Sequence, residues 1–418
     1  MNINSKVKAK LLAQLMACLL GVATGTSGEL SSARSLALGG AMTALAGGVD
    51  AAKFNPAILA LNERAPLQLE LISLGFNVSN NSWTLDDYNK YSGAVLSASD
   101  KSDILSKIPR EGLNLKADAE AAALSAALGK FAFSVSGAGS ADANLNREII
   151  ELLLNGNTFT DSIIATGSYS DAIAYAKVGL SYGHLVYEAG SRQLAVGGTL
   201  KYIRGLGFEE IVELKGLAAT MATGFQGNGE IIARTAAGGT GYALDLAGAL
   251  QFNRDYTVGA RLENVLGSIN WNKNAREHGY IFNFDTLTVS NAGDVVVDSE
   301  YTKNLPSFST RLPAVLNLGV ANTSGKLLWA VNWEQGFKRT AESSTKPRLA
   351  VGLEWLKLGA VPLRAGFSFG GGRGESFSLG SGIDVKPFYL DFAGVTGTGL
   401  SIYSAKGLKL ALSTGVRF

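Results

Sequence analysis

Few residues in this chain of 418 are equipped for chemistry. There are two histidines, His184 in "SYGHLVYE" and His278 in "AREHGYIF", and one cysteine, Cys18. Nucleophilic hydrolysis needs a serine within reach of a histidine, with a third group orienting the ring. Ser181 precedes His184 by three residues, and on a strand that odd spacing puts the two on opposite faces. His184 therefore reads as an interfacial or loop polar group. A metal site gathers several His, Cys or carboxylate ligands. Neither histidine has a companion nearby, and Asp86 and Asp87 lack the spacing of a calcium loop. The run "GGGRGE", Gly370 to Glu375, lacks the Lys-Ser/Thr of a phosphate loop and reads as a hairpin tip. No enzyme, metal or cofactor is expected.

The chemistry that remains is charge placed on one face of alternating segments. "YALDLAGALQF" sets Tyr242, Leu244, Leu246, Leu250 and Phe252 against Ala243, Asp245, Ala247 and Gln251. "YTVGARLEN" sets Tyr256, Val258 and Leu262 against Arg261 and Glu263. "LLWAVNWE", "LRAGFSF" and "FSLGSGIDV" do the same with Glu334, Arg364 and Asp384. Period two is the signature of strands. Opposite the apolar face stand Gly, Ala and Ser with single charges, where a soluble sheet would carry many Lys, Glu and Thr. A small-residue face suits the confined interior of a closed barrel, with the apolar face toward lipid. Closure also satisfies every backbone group, which hydrocarbon requires. Asp245, Arg261, Glu263, Glu334, Arg364 and Asp384 are then the expected lumen-lining residues. Two readings stay open for them: a paired network that stiffens the barrel, or the polar lining of a conduction path.

The elements that position these charges number about fourteen strands. Two stretches break the alternation. "TLDDYNKYSGAVLSASDKSDILSKIPREG" is expected to hold one short helix over Lys101 to Ile108. "NREIIELLLNGN" is expected to form a helix stopped at Gly156. Both read as insertions in long loops. The fold class expected is all-β, a transmembrane antiparallel barrel with an N-terminal hatch segment and helical loop insertions. No stretch outside the N-terminus offers ~18 consecutive apolar residues for a helical span.

At the N-terminus, Lys6, Lys8 and Lys10 precede the apolar Leu11 to Val22, and small residues follow. This is the grammar of an export signal over residues 1–28. A lipoprotein signal ending at Cys18 is the alternative. The 37 basic and 35 acidic residues give +2, and loss of the three lysines leaves −1. A near-neutral chain argues against nucleic acid as a partner. At the other end, "LKLALSTGVRF" alternates to an aromatic last residue, Phe418. Such a terminus suits the strand that closes a ring, with a soluble β-protein's last core strand as the competing reading.

Residues 29–64 are expected to form the hatch and residues 65–418 the barrel. "ARSLALGGAMTALAGGVDAAKFNPAILAL", Ala33 to Leu61, allows a marginal helix from Leu36 to Leu45. It also allows a cap at Asn55, with Pro56 at the first helical position. The set Ala33-Arg34-Ser35-Leu36, Gly39-Gly40-Ala41, Ala44-Leu45-Ala46 and Asn55-Pro56-Ala57 resembles the N-terminal signature of the FadL-like outer-membrane barrels. That group includes fatty-acid and hydrocarbon transporters, PorV/PorQ proteins and TraF-like barrels, and "LENVLGSINW" resembles its uncharacterised branch. The resemblance implies a fourteen-stranded barrel in the outer membrane of a Gram-negative-type bacterium. Arg34, Gly39, Gly40, Asn55, Pro56 and Ala57 would be hatch residues. It further implies passage of a small hydrophobic, fatty-acid-like ligand past the hatch, or in the PorV-like branch the holding of a secreted or surface protein. Outer-membrane lipid would be a partner, and the barrel assembly machinery would read Phe418. Lys53 departs from the pattern, which often has an aromatic there.

Overall fold

The computed structural model describes residues 30, 32–61, 67–155, 162–164, 167–221, 224–287, 296–372, 374–397 and 403–418. The expected export signal, the helix stop at Gly156 and Arg373 of the glycine-rich tip lie outside the described residues.

Alternation in the sequence becomes long antiparallel strands. They are β1 (Gln68–Asn80), β2 (Leu113–Leu128), β3 (Phe131–Leu145), β4 (Ser162–Ile164), β5 (Tyr169–Ala189), β6 (Arg192–Met221) and β7 (Gly224–Ala236). Next come β8 (Gly239–Gln251), β9 (Tyr256–Glu263), β10 (Ser268–Trp271), β11 (Arg276–Leu287), β12 (Val296–Asn304), β13 (Phe308–Arg311) and β14 (Val315–Asn322). The chain ends with β15 (Leu327–Gly336), β16 (Arg348–Trp355), β17 (Leu363–Gly370), β18 (Glu375–Val385), β19 (Phe388–Gly397) and β20 (Gly407–Arg417).

Antiparallel ladders join β1, β2, β3, β5, β6, β8, β9, β14, β15, β16, β17, β18, β19 and β20 in that order. β20 pairs back onto β1, from Gln68↔Arg417 to Ser79↔Gly407, so fourteen strands close a ring. The Phe418 N–H donates to the Leu67 carbonyl at 3.1 Å, carrying the seam to the last residue. The remaining strands prolong the wall on one side. β6 pairs with β8 along its first half and with β7 along its second. β10 bridges β8 and β13, and β11 bridges β7 and β12. A ribbon of four strands thus projects beyond the ring at the end that carries the long loops. At the opposite end the strands are joined by short turns.

The faces fall as period two requires. β16 alternates buried and exposed without a break. Leu379 and Leu410 point outward, while Arg364, Ser368 and Lys409 point inward and are buried. No described helix is long and apolar enough to cross a membrane. The long loop expected to hold one helix over Lys101 to Ile108 holds two, Leu85–Tyr91 and Ala98–Ser106. Each is started by a capping box, Thr84 with Asp87 and Ser97 with Asp100. These caps were legible in the sequence and were overlooked. The helix expected after Asn146 is present over Arg147–Asn155.

Residues 32–61 lie inside the ring. Helix Ala33–Ala37 is capped by Ser32 and stops well short of the Leu45 expected, because Gly39 and Gly40 take φ of 64° and 87° and turn the chain. Two further short helices follow, Val49–Phe54 and Ile58–Leu61. The segment is buried almost throughout. It fits because glycines on the wall face it. A methyl at Gly366 would lie 2.4 Å from the Gly39 nitrogen, and one at Gly352 would lie 2.8 Å from Leu38. Methyls at Gly183, Gly197, Gly259 and Gly75 would collide with the backbone of Pro56, Ala57, Thr43 and Leu30. Distances under 3 Å to backbone leave no room for any side chain. Six of the chain's 51 glycines are accounted for by this belt.

Gly366→Val is expected to leave the ring intact, since valine suits a strand. It should displace the inner segment at a cost of ~1–3 kcal/mol. Limited trypsin digestion should then cut at Arg34 or Lys53, while the barrel keeps its heat-modifiable migration. Gly207→Ala, where a methyl meets nothing within 4 Å, should behave as the parent chain does.

Candidate functional site

The inner segment is held by a few polar anchors. Arg34 donates to Glu354 of β16, with Nη2 at 2.7 Å from Oε2. Glu354 also accepts from Arg364 Nε of β17 at 2.7 Å, and Arg364 Nη1 reaches Asp391 of β19 at 2.6 Å. Arg348 Nη2 donates to the Gly39 carbonyl at 2.8 Å and to Ser368 Oγ at 3.1 Å. The Ala33 N–H donates to Ser413 Oγ of β20 at 2.8 Å. Lys53 pairs with Glu70 of β1 at 2.6 Å. A buried charge must be compensated to be tolerated: Arg34, Arg364 and Lys53 have carboxylate partners, and Arg348 is held by a carbonyl and a hydroxyl.

Asn55 makes the bond expected of a cap, at the turn that leads into the next helix. It ends helix Val49–Phe54, and the next helix begins at Ile58. Its Oδ1 accepts from the Ala57 N–H at 3.1 Å. Its Nδ2 donates to the Thr43 carbonyl at 2.8 Å and to the carbonyl of Gly248 in β8 at 3.2 Å. Pro56 and Ala57 pack on the glycines of β5 and β6. On the other side of the wall at this point is an apolar depression of about 430 Å³, open to the outside of the ring. Gly248 and Ala260 form its floor, and Leu194, Leu250, Val258, Leu318, Val331 and Trp333 are among its rim. The Asn55-Pro56-Ala57 turn and this depression lie back to back across a single strand layer.

The expected lumen residues divide into separate groups. Asp245, Arg261 and Glu263 meet in one cluster: Arg261 Nη2 lies 2.7 Å from Asp245 and 3.1 Å from Glu263. Lys201 of β6 joins them at 2.8 Å from Asp245 and 3.2 Å from Glu263. Arg364 belongs to the Arg34–Glu354 group. Asp384 sits at the short-turn end, paired with Arg417 at 2.6 Å. Glu334 faces inward, half-buried, opposite Arg348 in the ladder. His184 is exposed and bonds Tyr182, and Ser181 lies on the inner face bonded to Thr199, so the two are indeed on opposite faces. His278 lies within β11, between Thr235 and Thr302.

Beside the inner segment is a second cavity, of about 40 Å³. Lys53, Glu120, Lys177, Lys201, Arg261 and Glu263 are among its lining residues, with serines of β2 and β3 between them. Its polarity contrasts with the apolar lining expected along a fatty-acid path. Above it, toward the long-loop end, the loop 337–347 between β15 and β16 turns inward. A tight turn at Thr340 and Ser343 shapes its tip. The Ala341 carbonyl accepts from Ser140 Oγ of β3 at 2.8 Å and from Lys116 of β2. Glu342 accepts from Tyr175 of β5 at 2.6 Å. Arg339 stacks 3.5 Å over Tyr169 and pairs with Asp142 at 3.4 Å. Counting round the ring, β15–β16 and β2–β3 are diametrically opposed, so the loop spans the bore. Burial pushes the Glu342 carboxyl up to about 7, against the opposing pull of Tyr175 and Lys177.

Sequence reasoning missed Glu354, Asp391, Glu120, Lys177 and Lys201. All sit inward on alternating strands and carried the same signal as the six residues chosen. The loop's inward path left no local signal. Among the described residues, no cluster of His, Cys, Asp or Glu is arranged to hold a metal.

Residues 56–213 match the profile of a family of unknown function, DUF5723. No curated protein matches the chain in sequence. Solved structures match over nearly the whole length. The Ralstonia pickettii toluene transporter TbuX superposes with a TM-score of 0.53 at 14% identity, covering 93% of this chain and 99% of that one. The P. putida toluene transporter TodX gives 0.53 at 13%, with the same coverage. A Pseudomonas aeruginosa FadL homologue gives 0.51 at 13%, covering 95% and 99%. The chain therefore has the fold of the FadL-like transporters.

Two outcomes are expected. Glu354→Ala strands Arg34 and weakens the hold on Arg364, so denaturant unfolding should show a loss of ~3–5 kcal/mol, with Glu354→Gln losing less. A carboxyl whose pKa is raised on loop insertion favours the inserted form when protonated. That contribution is full below about pH 4.5 and is lost as pH rises through about 7. Hydrogen exchange, corrected for intrinsic rate, should show residues 340–343 better protected at pH 5 than at pH 8. Glu342→Gln should abolish the difference.

Proposed function

We propose that this chain is an outer-membrane barrel that passes small apolar molecules between the inner segment, acting as a hatch, and the wall. The observation that carries this reading is the pairing of the Asn55-Pro56-Ala57 turn with the lipid-side depression over Gly248. The wall there is a single layer of small residues, held from inside by one side-chain amide. A shift of the hatch releases the Gly248 carbonyl and loosens β8 against its neighbours, opening a sideways route between bore and lipid. The fold supports the reading, since the solved structures that share it include toluene transporters. The same fold supports placement in an outer membrane, where Phe418 would serve the assembly machinery.

A second reading, a barrel that holds a secreted or surface protein, is favoured by the projecting ribbon of β6, β7, β11 and β12, which offers a large sheet surface beyond the ring. Purification in mild detergent separates the two. An extracted fatty acid or hydrocarbon supports transport; a stoichiometric co-purifying protein supports the second.

The direct test is transfer of toluene and of oleate into proteoliposomes. The parent barrel should accelerate transfer over protein-free vesicles. Gly248→Leu, which fills the depression with an outward side chain, should slow it. Asn55→Ala should speed it, at a cost in stability of ~1–3 kcal/mol from the lost buried amide bonds. Transfer equal to that of empty vesicles would refute the reading.

A further inference from the structure

The 40 Å³ cavity and the loop 337–347 are not explained by an apolar route. The cavity is several times the ~10–15 Å³ that one water needs. Two of its charges are fully interior: Glu120 is 3% exposed and Arg261 5%. Lys177 Nζ lies 3.2 Å from Glu120 Oε1, yet Glu120 Oε2 has no hydrogen-bond partner among the described residues. The same holds for Arg261 Nε. One orphan acceptor and one orphan donor thus belong to residues that line the same small space. Buried polar atoms are rarely left so, and when they are, water or a small ion completes them. Lys177 connects this space to the loop: its ammonium lies 5.9 Å from the centre of the Tyr175 ring, and Tyr175 holds Glu342 of the loop.

The loop's fixings are polar. Apart from the Arg339–Tyr169 stack, its contacts with β2, β3 and β5 are hydrogen bonds and ion pairs. If the loop moves, such contacts can be replaced by bonds to water, whereas parting the apolar seam by which the inner segment meets the wall would expose apolar surface. The mixture of acid and base in the cavity matches solutes of either sign.

We infer that this cavity is an aqueous chamber for water and small hydrophilic ions, entered from the long-loop end, with the loop 337–347 as its door. The chamber adjoins the hatch, since Ala52 and Lys53 of the inner segment are among its lining residues, but its polar lining sets it apart from the apolar route.

Cysteine accessibility tests it, in a Cys18→Ser background so that each introduced thiol is alone. Ser136→Cys lines the chamber. Its labelling by a cationic and by an anionic methanethiosulfonate is followed by mass spectrometry on the detergent-purified full barrel. Both reagents should label it, and a chain with residues 338–345 replaced by two glycines should label much faster. Adding Ser140→Cys and Ala341→Cys, joined by oxidation or a short bifunctional thiol reagent, should abolish labelling of position 136. For the disulfide form, reduction should restore it. Ala122→Cys gives a second reporter should Ser136→Cys fail to fold. If neither reporter reacts even with the loop shortened, the space is not an aqueous chamber. If both react equally with the door joined, free or shortened, the loop is not its door.

Discussion

The structure depends on backbone-to-backbone contact between the inner segment and the wall. Residues 32–61 are laid directly against strands whose inward positions are glycine, with clearances that no side chain would fit. Alanines fill the next ranks: Ala195, Ala249, Ala321, Ala330 and Ala350 pack on Leu38, Met42, Leu45 and Val49. Close packing of this kind yields many small dispersion gains over a wide area. It also makes the arrangement intolerant of added volume. A barrel with an ordinary small-and-polar lumen would have left this segment no seat.

On that seat the charges become intelligible. Once the inner segment occupies the short-turn half of the bore, the charges packed beside it are buried and are stabilised by partners. Arg34 is supplied from the segment to a wall network that contains Glu354, Arg364 and Asp391. The Lys201–Asp245–Arg261–Glu263 cluster serves the opposite wall. Both groups are paired, as either reading of these charges requires. The chamber by Glu120 and Arg261 is the place where pairing is incomplete.

Much of this was legible in the residues. The outward and inward faces of β5, β8, β9, β16 and β17 follow from alternation, since a strand in a ring has no other way to place its side chains. The fourteen-strand count held because hairpin turns punctuate each run. Helix details were less legible. Gly39-Gly40 ends a helix early by turning left-handed, which a count of apolar residues does not register. Asn55 caps its turn through Oδ1, but its amide nitrogen is taken up by Thr43 and Gly248, partners that no local pattern names. The inward loop 337–347 is polar like any exposed loop. Its position is set by Lys116, Ser140 and Tyr175, some 170–225 residues distant, and no local pattern encodes that. The prolonged wall over β10 to β13 was equally hidden, because β10 and β13, which join it to the ring, have only four residues each.

The seating of the inner segment is tested most directly by a cross-link between it and the wall. The Ala33 N–H donates to Ser413 Oγ at 2.8 Å, so the two positions are neighbours across the contact. In a Cys18→Ser chain carrying Ala33→Cys and Ser413→Cys, a disulfide should form in high yield in the assembled barrel, as mass spectrometry of the tryptic peptides would show. Free thiols at both positions in a barrel that is otherwise folded, under conditions that oxidise a cysteine pair placed at Ala350 and Ser368 within the wall, would contradict it.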